Sequence, residues 1–170
     1  MRQLTRHPDF PSSVAGVAAE ARRSGDVLTL RFVMEGMADV VVPPPAASLR
    51  TDELWRRTCF EAFVGDGAGY FELNFAPSSE WAAYRFDGYR EGMRPAELEP
   101  RIEVQRGPDA IELRATVSGL PEGGWRVGLT AVVEETGGRL SYWALAHPPG
   151  RPDFHNADCF ALELPESRGP

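Results

Sequence analysis

The chain has 170 residues and a formal net charge of −7, with 42% hydrophobic and 25% charged residues. This composition is typical of a soluble globular protein, and a chain of this size can bury a core without disulfides or metal. The acidic balance disfavours nucleic-acid binding and electrostatic attachment to a membrane, because both depend on clustered cations. All 18 basic residues are arginine, which excludes a Schiff-base lysine and a Walker-type phosphate loop.

The amino-terminal segment and the two cysteines bear on the cellular compartment. Residues 1–11 carry charge but no apolar stretch like that of a secretory signal, and no segment approaches the roughly 20 apolar residues that span a bilayer. We therefore expect a cytoplasmic protein with Cys59 and Cys159 as reduced, unbridged thiols. Two cysteines this far apart, without a Cys-x-x-Cys pair, are no zinc framework, so we expect no metal site.

Short apolar runs separated by glycine and proline recur along the chain and predict an all-β fold, an antiparallel two-sheet β-sandwich forming one domain over residues 1–170. The first run, 14–23, also has apolar residues at helical spacing, but Gly16 and the strand rhythm after it favour a strand. It forms a predicted hairpin with 27–34. A short extended run at 38–42 ends at three prolines, and the further predicted strands are 54–64, 70–76, 81–86, 101–106, 111–117, 125–134, 140–146 and 159–164.

The predicted strand 70–76 alternates between apolar and polar residues. Successive side chains of a strand point to opposite faces of the sheet. One face should therefore lie between the two sheets, with Phe71, Leu73 and Phe75 in the core. Glu72 and Asn74 then lie on the opposite face.

The strands on either side extend this polar face. In the strand before the glycine-rich turn at 65–69, alternation with apolar residues directs Glu61 away from the core. In the predicted strand 81–86 we take Ala82, Tyr84 and Phe86 as the core set, which directs Trp81 and Arg85 outward. If the three strands are antiparallel neighbours, one concave sheet face carries Glu61, Glu72, Asn74, Trp81 and Arg85.

An aromatic ring surrounded by carboxylates, an amide and a guanidinium is typical of surfaces that bind sugars and other polyols. The ring packs on the apolar C–H face of the sugar, while the planar polar groups bind its hydroxyls. Alternation alone also produces a second structure, a solvated outer sheet face with a Glu–Arg ion pair, since one face of an antiparallel sheet is often wet. Both interpretations stay open at the level of the sequence.

A second group of polar residues lies in the proline-rich loop 147–156. Loops that combine His, Arg, Asp and Asn are common binding elements, so His147 and His155 join the candidate ligand-binding residues at the rim of the face. The alternative is a stiff surface loop whose histidines bind the backbone. The chain has no Gly-x-Ser-x-Gly and no metal-binding histidine pair, so it indicates no catalytic residue, metal or cofactor.

Several blocks of the sequence resemble a known family. The segments LWRRTCFEAF (54–63), YFELNFAPS (70–78) and WAAYRF (81–86), with the closing segments YWALAH (142–147) and PDFH (152–155), are similar to the bacterial DOMON-like domain proteins. More distantly, Glu61 and the Asn74–Pro77 turn resemble the family 9 carbohydrate-binding modules. The resemblance implies a DOMON-like or carbohydrate-binding-module-like β-sandwich, in groups whose members bind haem or sugars.

These observations favour a non-catalytic binding domain for a carbohydrate or a similar polar small molecule on a concave sheet face. The expected partner is this small molecule, with no nucleic acid and no membrane. One alternative is a b-type haem or electron-transfer domain in which Met34, Met37 or Met93 pairs with His147 or His155. The other is an enzyme that uses Glu61 and Glu72 as paired carboxylates.

Overall fold

The computed structural model describes residues 1–167 as two antiparallel β-sheets packed face to face. The strands are β1 (Arg2–Gln3), β2 (Thr5–Arg6), β3 (Gly16–Ser24), β4 (Val27–Glu35), β5 (Cys59–Gly65), β6 (Tyr70–Phe75), β7 (Trp81–Phe86), β8 (Arg94–Pro95), β9 (Arg101–Arg106), β10 (Ala110–Val117), β11 (Trp125–Glu135), β12 (Arg139–Ala144) and β13 (Leu162–Leu164). The smaller sheet has five strands in the order β1-β3-β4-β10-β9, and the larger has the order β2-β12-β11-β5-β6-β7-β8 with β13 paired to β11. The predicted antiparallel β-sandwich is confirmed.

The first predicted hairpin is present as β3 and β4, which pair antiparallel along their full length. In β3 the residues Val17 and Ala19 are fully buried, while Gly16, Ala18 and Glu20, which alternate with them, are half-buried. This period of two is that of a strand, so the helical spacing of the same apolar residues is incidental.

Two predicted strands begin later than the sequence indicates. The segment before β5 contains a 3-10 turn, Leu54–Arg56, and the segment before β13 contains a second one, Ala157–Cys159. In the second turn the side chain of Asn156 accepts a hydrogen bond from the backbone N–H of Asp158, which favours a turn over an extended chain. The predicted run 38–42 contributes only an isolated bridge between Val40 and Glu135.

The core between the sheets is built from the alternating apolar residues. Leu73 and Phe75 are fully buried there, and the half-buried Phe71 packs against the same cluster. Phe32 of the smaller sheet stacks on Phe60 of the larger one, with ring centroids 5.1 Å apart. The predicted register of β6 is therefore confirmed, because its alternate residues face the opposite side.

The outer face of the larger sheet carries a second apolar cluster. Tyr70 and Phe86 stack there with ring centroids 4.8 Å apart, and the loop before β13 contributes Phe154 and Phe160. The larger sheet is thus covered on both faces, which explains why its central strands are apolar on both sides. No helix within residues 1–167 has the length and apolar character needed to span a bilayer.

The expected orientation of β7 is wrong. Trp81 pairs with Phe75, and paired residues of neighbouring strands point to the same side of a sheet. Trp81 therefore lies in the core between the sheets, while Tyr84 and Phe86 belong to the outer cluster. Arg85 pairs with Phe71 and also lies on the inner side, away from Glu72 and Asn74.

Candidate ligand-binding site

A cavity of about 420 Å³ opens on the outer face of the larger sheet. Its floor contains the carboxylates Glu61 and Glu72 of β5 and β6. Its walls are mostly aromatic, and they are formed by Phe63, Tyr84, Phe86, Val132, Tyr142 and Phe154. Its rim is formed by Trp55, Arg90, Met93, Pro152 and His155. Small-molecule sites have this composition, with apolar walls and a few polar groups that fix the orientation of the ligand.

The strand register brings the polar groups of the floor together. Glu61 of β5 pairs directly with Asn74 of β6, and Glu72 lies two residues away on the same face. Asn74 donates a hydrogen bond from Nδ2 to Oε1 of Glu72 at 3.1 Å, and Thr130 of β11 donates one to Oε2 of Glu61 at 3.3 Å. The two carboxylates are only 2% and 6% exposed.

Burial controls the protonation of both carboxylates. Removal from water raises the pKa of Glu61 well above its ordinary value, the charge of Glu72 raises it further, and the hydrogen bond from Thr130 acts in the opposite direction. Burial also raises the pKa of Glu72, against the opposing effects of the Asn74 hydrogen bond and the Arg90 charge. The floor therefore holds two carboxyl groups that resist simultaneous ionisation.

His155 is held at the rim by a chain of hydrogen bonds. Its Nδ1 lies 2.7 Å from the hydroxyl of Tyr70, which in turn accepts the backbone N–H of Arg90 at 3.1 Å. Burial and the Arg90 charge lower the pKa of His155 to about 4, so the ring is neutral at neutral pH. With the tyrosine hydroxyl donating to Nδ1, the ring proton lies on Nε2 and faces Oε2 of Glu72 at 3.5 Å. The contact with Glu72 is thus a long polar contact rather than an ion pair.

Arg90 joins the two loops that form the rim. Its guanidinium lies 2.9 Å from a carboxylate oxygen of Asp153, and the hydroxyl of Tyr89 donates to the same carboxylate. The backbone of Arg90 is left-handed, with φ of 54°. These contacts order the segment between β7 and β8 against the loop that carries His155.

The structure brings together four of the seven residues predicted from the sequence. Glu61, Glu72 and His155 line the cavity, and the fully buried Asn74 supports its floor. The remaining three, Trp81, Arg85 and His147, lie elsewhere, so the expected convergence of all these residues on one face is wrong.

Each of the three excluded residues has a local partner. Trp81 packs in the core between the sheets, and the guanidinium of Arg50 lies 4.6 Å over its ring. Arg85 binds the carboxylate of Asp66 through two contacts of 2.8 and 3.2 Å. His147 donates from Nε2 to the carbonyl of Thr5 at 2.7 Å. The predicted arginine–carboxylate pair therefore forms with Asp66 of the glycine-rich turn and not with Glu61 or Glu72.

Sequence reasoning missed most of the aromatic wall and the rim. Alternation along the strand 81–86 predicts Tyr84 and Phe86 in the core, and no sequence pattern assigns Trp55 or Arg90 to the site. One signal was available, because the strand 81–86 is apolar at both parities, and a strand of this kind has both faces covered. A covered outer face would have shown that a ligand site there must be a cavity rather than an open platform.

The residues present do not fit a b-type haem. His155 and Met93 both line the cavity, but both ring nitrogens of His155 already face polar partners, Tyr70 and Glu72. Met34 is fully buried between the sheets and does not line the cavity. Binding a porphyrin would also bury the two carboxylates of the floor against its apolar face, which is unfavourable. Within residues 1–167, no group of three His, Cys, Asp or Glu side chains is placed to hold a metal ion.

Comparison with known proteins gives structural matches only. No family model matches the sequence, and no curated protein matches it. A suggested carbohydrate-binding protein from Bacteroides uniformis aligns with a TM-score of 0.69 at 15% identity, covering 94% of this chain and 83% of that chain. The chain thus shares the two-sheet β-sandwich fold of that protein.

Two further matches are complexes of a family 9 carbohydrate-binding module from Caldicellulosiruptor kristjanssonii. The complex with glucose aligns with a TM-score of 0.53 at 9% identity, covering 98% of this chain and 86% of that one. The complex with cellotriose aligns with a TM-score of 0.55 at 11% identity, covering 98% and 84%. At these identities the likeness defines the fold and leaves the ligand to be argued from the cavity.

Proposed function

We propose that the whole chain is one non-catalytic binding domain and that its ligand is a carbohydrate or a similar polar small molecule. The observation that carries this proposal is the cavity with a carboxylate floor under aromatic walls. Aromatic rings pack on the C–H faces of a sugar, and buried carboxylates accept hydrogen bonds from its hydroxyls. The cavity volume of about 420 Å³ lies within the range of small-molecule sites, roughly 300–1,000 Å³.

The comparisons support the same proposal. Two solved structures with this fold are modules in complex with glucose and with cellotriose. A relationship to the bacterial DOMON-like domain proteins and a cytoplasmic location are parts of the proposal that rest on the sequence alone. Trp55 is 46% exposed at the cavity rim, where an indole ring can stack on a sugar that enters the cavity.

Titration with a panel of sugars that includes glucose and cellotriose tests the proposal. Saturable changes in tryptophan fluorescence, checked by calorimetry, are the expected result. Trp55→Ala should weaken binding by about tenfold, which corresponds to about 1.4 kcal/mol. Its thermal midpoint should stay unchanged, because the ring is half exposed. Leu49→Ala is the matched control, since Leu49 is 64% exposed and does not line the cavity. Absence of saturable binding to every sugar of the panel contradicts the proposal.

Hydrolysis by the two carboxylates is a second candidate function. Glu61 and Glu72 line one cavity, and burial raises the pKa of both, as the general acid of a glycosidase requires. Release of nitrophenol from a panel of nitrophenyl glycosides tests it. Glu61→Gln and Glu72→Gln should each abolish any turnover. Sugar binding without turnover would refute hydrolysis and support the non-catalytic binding domain.

A further inference from the structure

One oxygen on the cavity floor has no hydrogen-bond partner. Oε1 of Glu61 is buried and unpaired among the described residues, while Oε2 of the same carboxyl accepts the Thr130 hydroxyl. Glu61 is 2% exposed and lines the cavity. A buried acceptor without a donor is destabilising, and native structures contain few of them. The cavity therefore presents a buried acceptor to whatever enters it.

The charged groups around the cavity are mostly acidic. Glu72 lies on the strand next to Glu61, Asp52 accepts the hydroxyl of the wall residue Tyr84 at 2.5 Å, and Asp153 contacts the rim residue Arg90. Among the described residues that line the cavity, the only cation is Arg90, and Asp153 already pairs with it at 2.9 Å. The other groups packed over the floor are neutral at neutral pH, namely Thr130, Asn74, Tyr84, Tyr142 and His155. The field at the floor favours a positive charge.

The cavity walls favour the same charge. Phe63, Phe86 and Phe154 line the cavity with Tyr84 and Tyr142. The face of an aromatic ring attracts a cation, and this attraction is strongest where water is excluded. Aromatic walls above an unpaired carboxylate oxygen form the chemical environment that recognises an organic ammonium group.

We propose that the ligand of this cavity carries a protonated amino group that donates to Oε1 of Glu61, as an amino sugar would. This inference rests on the proposed carbohydrate-binding function and specifies its ligand class. A neutral hydroxyl can also donate to this oxygen, but an ammonium group supplies charge as well as a hydrogen bond. In a desolvated cavity the attraction between the ammonium group and the carboxylate adds to the hydrogen bond.

Binding of the ammonium group should also move a proton. Burial raises the pKa of Glu61, so part of the free protein carries a protonated Glu61 carboxyl. An ammonium group beside it stabilises the carboxylate. The carboxyl then loses its proton to the solvent, while the ligand keeps its own. A neutral sugar causes no such release.

Calorimetric titration with three ligands tests the proposal. Glucosamine, glucose and N-acetylglucosamine share one ring, and acetylation removes the amine charge. At about pH 6, where an amine is protonated, glucosamine should bind at least about tenfold more tightly than either neutral sugar. Titrations in buffers of different ionisation enthalpy should show proton release for glucosamine alone.

Glu61→Gln removes the acceptor charge with little change in shape. It should weaken glucosamine binding by about tenfold or more, so that the preference for glucosamine over glucose is lost. Glu112→Gln is the matched control, because Glu112 lies on β10 in the other sheet and does not line the cavity. The comparison of glucosamine with the two neutral sugars uses the native protein, so it decides the matter even if Glu61→Gln does not fold.

The outcomes separate this inference from the proposed function. If glucose or N-acetylglucosamine binds as tightly as glucosamine, the ammonium site is refuted and the carbohydrate-binding domain stands. If no sugar binds, charged or neutral, both are refuted. Tight binding of glucosamine that depends on Glu61 supports both.

Discussion

Replacing Trp81 by alanine distinguishes a core residue from a ligand platform. Trp81 is 6% exposed at the start of β7 and packs in the core between the sheets. Removing a buried aromatic side chain loses its burial and leaves a cavity, at a cost of about 3–5 kcal/mol. Arg50 keeps its hydrogen bonds to the carbonyls of Ala83 and Ala96, at 2.8 and 2.6 Å. The loss should therefore come from packing and from the contact between the Arg50 guanidinium and the ring.

Thermal unfolding of Trp81→Ala, followed by circular dichroism, measures this loss. For a protein of this size each kcal/mol shifts Tm by about 2–4 °C, so Tm should fall by about 6–20 °C. Trp55→Ala is the control, and it should change stability by less than about 0.5 kcal/mol because its ring lies at the surface. A Trp81→Ala protein that melts like the native one but fails to bind sugar would refute the register of β7.

Two further predictions concern the cysteines and the smaller sheet. Cys59 and Cys159 are buried free thiols. Thiol counting on protein purified anaerobically should give two thiols in denaturant and almost none in the folded protein. A count of zero in denaturant would contradict this prediction. Arg31 and Arg114 hold the pKa of Glu112 at about 2, below its unfolded value, so its contribution to stability is present above about pH 4.5 and is lost as pH falls towards about pH 2. Glu112→Gln should remove about 1 kcal/mol of this acid-sensitive stability, a small value because the contacts of Glu112 with Arg31 and Arg114 are partly exposed. A variant whose Tm depends on acid pH as the native Tm does would contradict this prediction.

The strand pattern was predictable because glycine and proline bound the apolar runs. The bounds of β7 and β9 agree with the sequence-based prediction to the residue. The errors lie where a 3-10 turn precedes a strand, as at Leu54–Arg56. The residues of such a turn have ordinary strand composition, and only their tertiary contacts favour the turn.

Half of the site was predictable because β6 alternates clearly and β5 carries one charged residue, Glu61, among apolar ones. A charged or amide side chain at every second position of an apolar strand defines the outward face, as with Glu72 and Asn74 of β6. In β7 the residues of both parities are apolar, so alternation does not distinguish the faces. The link between β6 and β7 pairs Trp81 with Phe75 and thereby decides which face Trp81 occupies. Only the three-dimensional pairing contains that information.

The cavity itself could not be predicted from alternation. Its rim comes from the segments around Trp55, Arg90 and His155, which are far apart in the sequence and meet over one sheet face. Their positions depend on pairs such as Arg90 with Asp153 and Tyr70 with His155. Non-local contacts between irregular segments have no periodic signature. The sequence therefore indicated a polar face, and the loops convert that face into an enclosed site.

The buried Glu61 carboxyl should make the free protein less stable as pH rises. Its pKa in the folded state is raised well above the ordinary value of 4.5, so the folded protein binds this proton more tightly than the unfolded chain does. Stability from this group is fully present below about pH 4.5 and declines as pH rises towards the folded pKa. A buried acceptor that is kept unpaired for a ligand therefore lowers the stability of the ligand-free protein.

Glu61→Gln removes the titration and keeps an oxygen for the Thr130 hydroxyl. The difference in Tm between the variant and the native protein should therefore shift in favour of the variant between about pH 5 and about pH 8. Glu112→Gln is the control, since Glu112 is ionised in both the folded and the unfolded chain above about pH 5, and its difference in Tm should stay constant over this range. Burying the new amide of Glu61→Gln in place of the carboxyl lowers Tm by the same amount at every pH. The dependence of the Tm difference on pH is therefore unaffected. A difference in Tm that does not change with pH would mean that the Glu61 carboxyl titrates alike in the folded and unfolded chains. That result would refute the effect of burial on the pKa of Glu61.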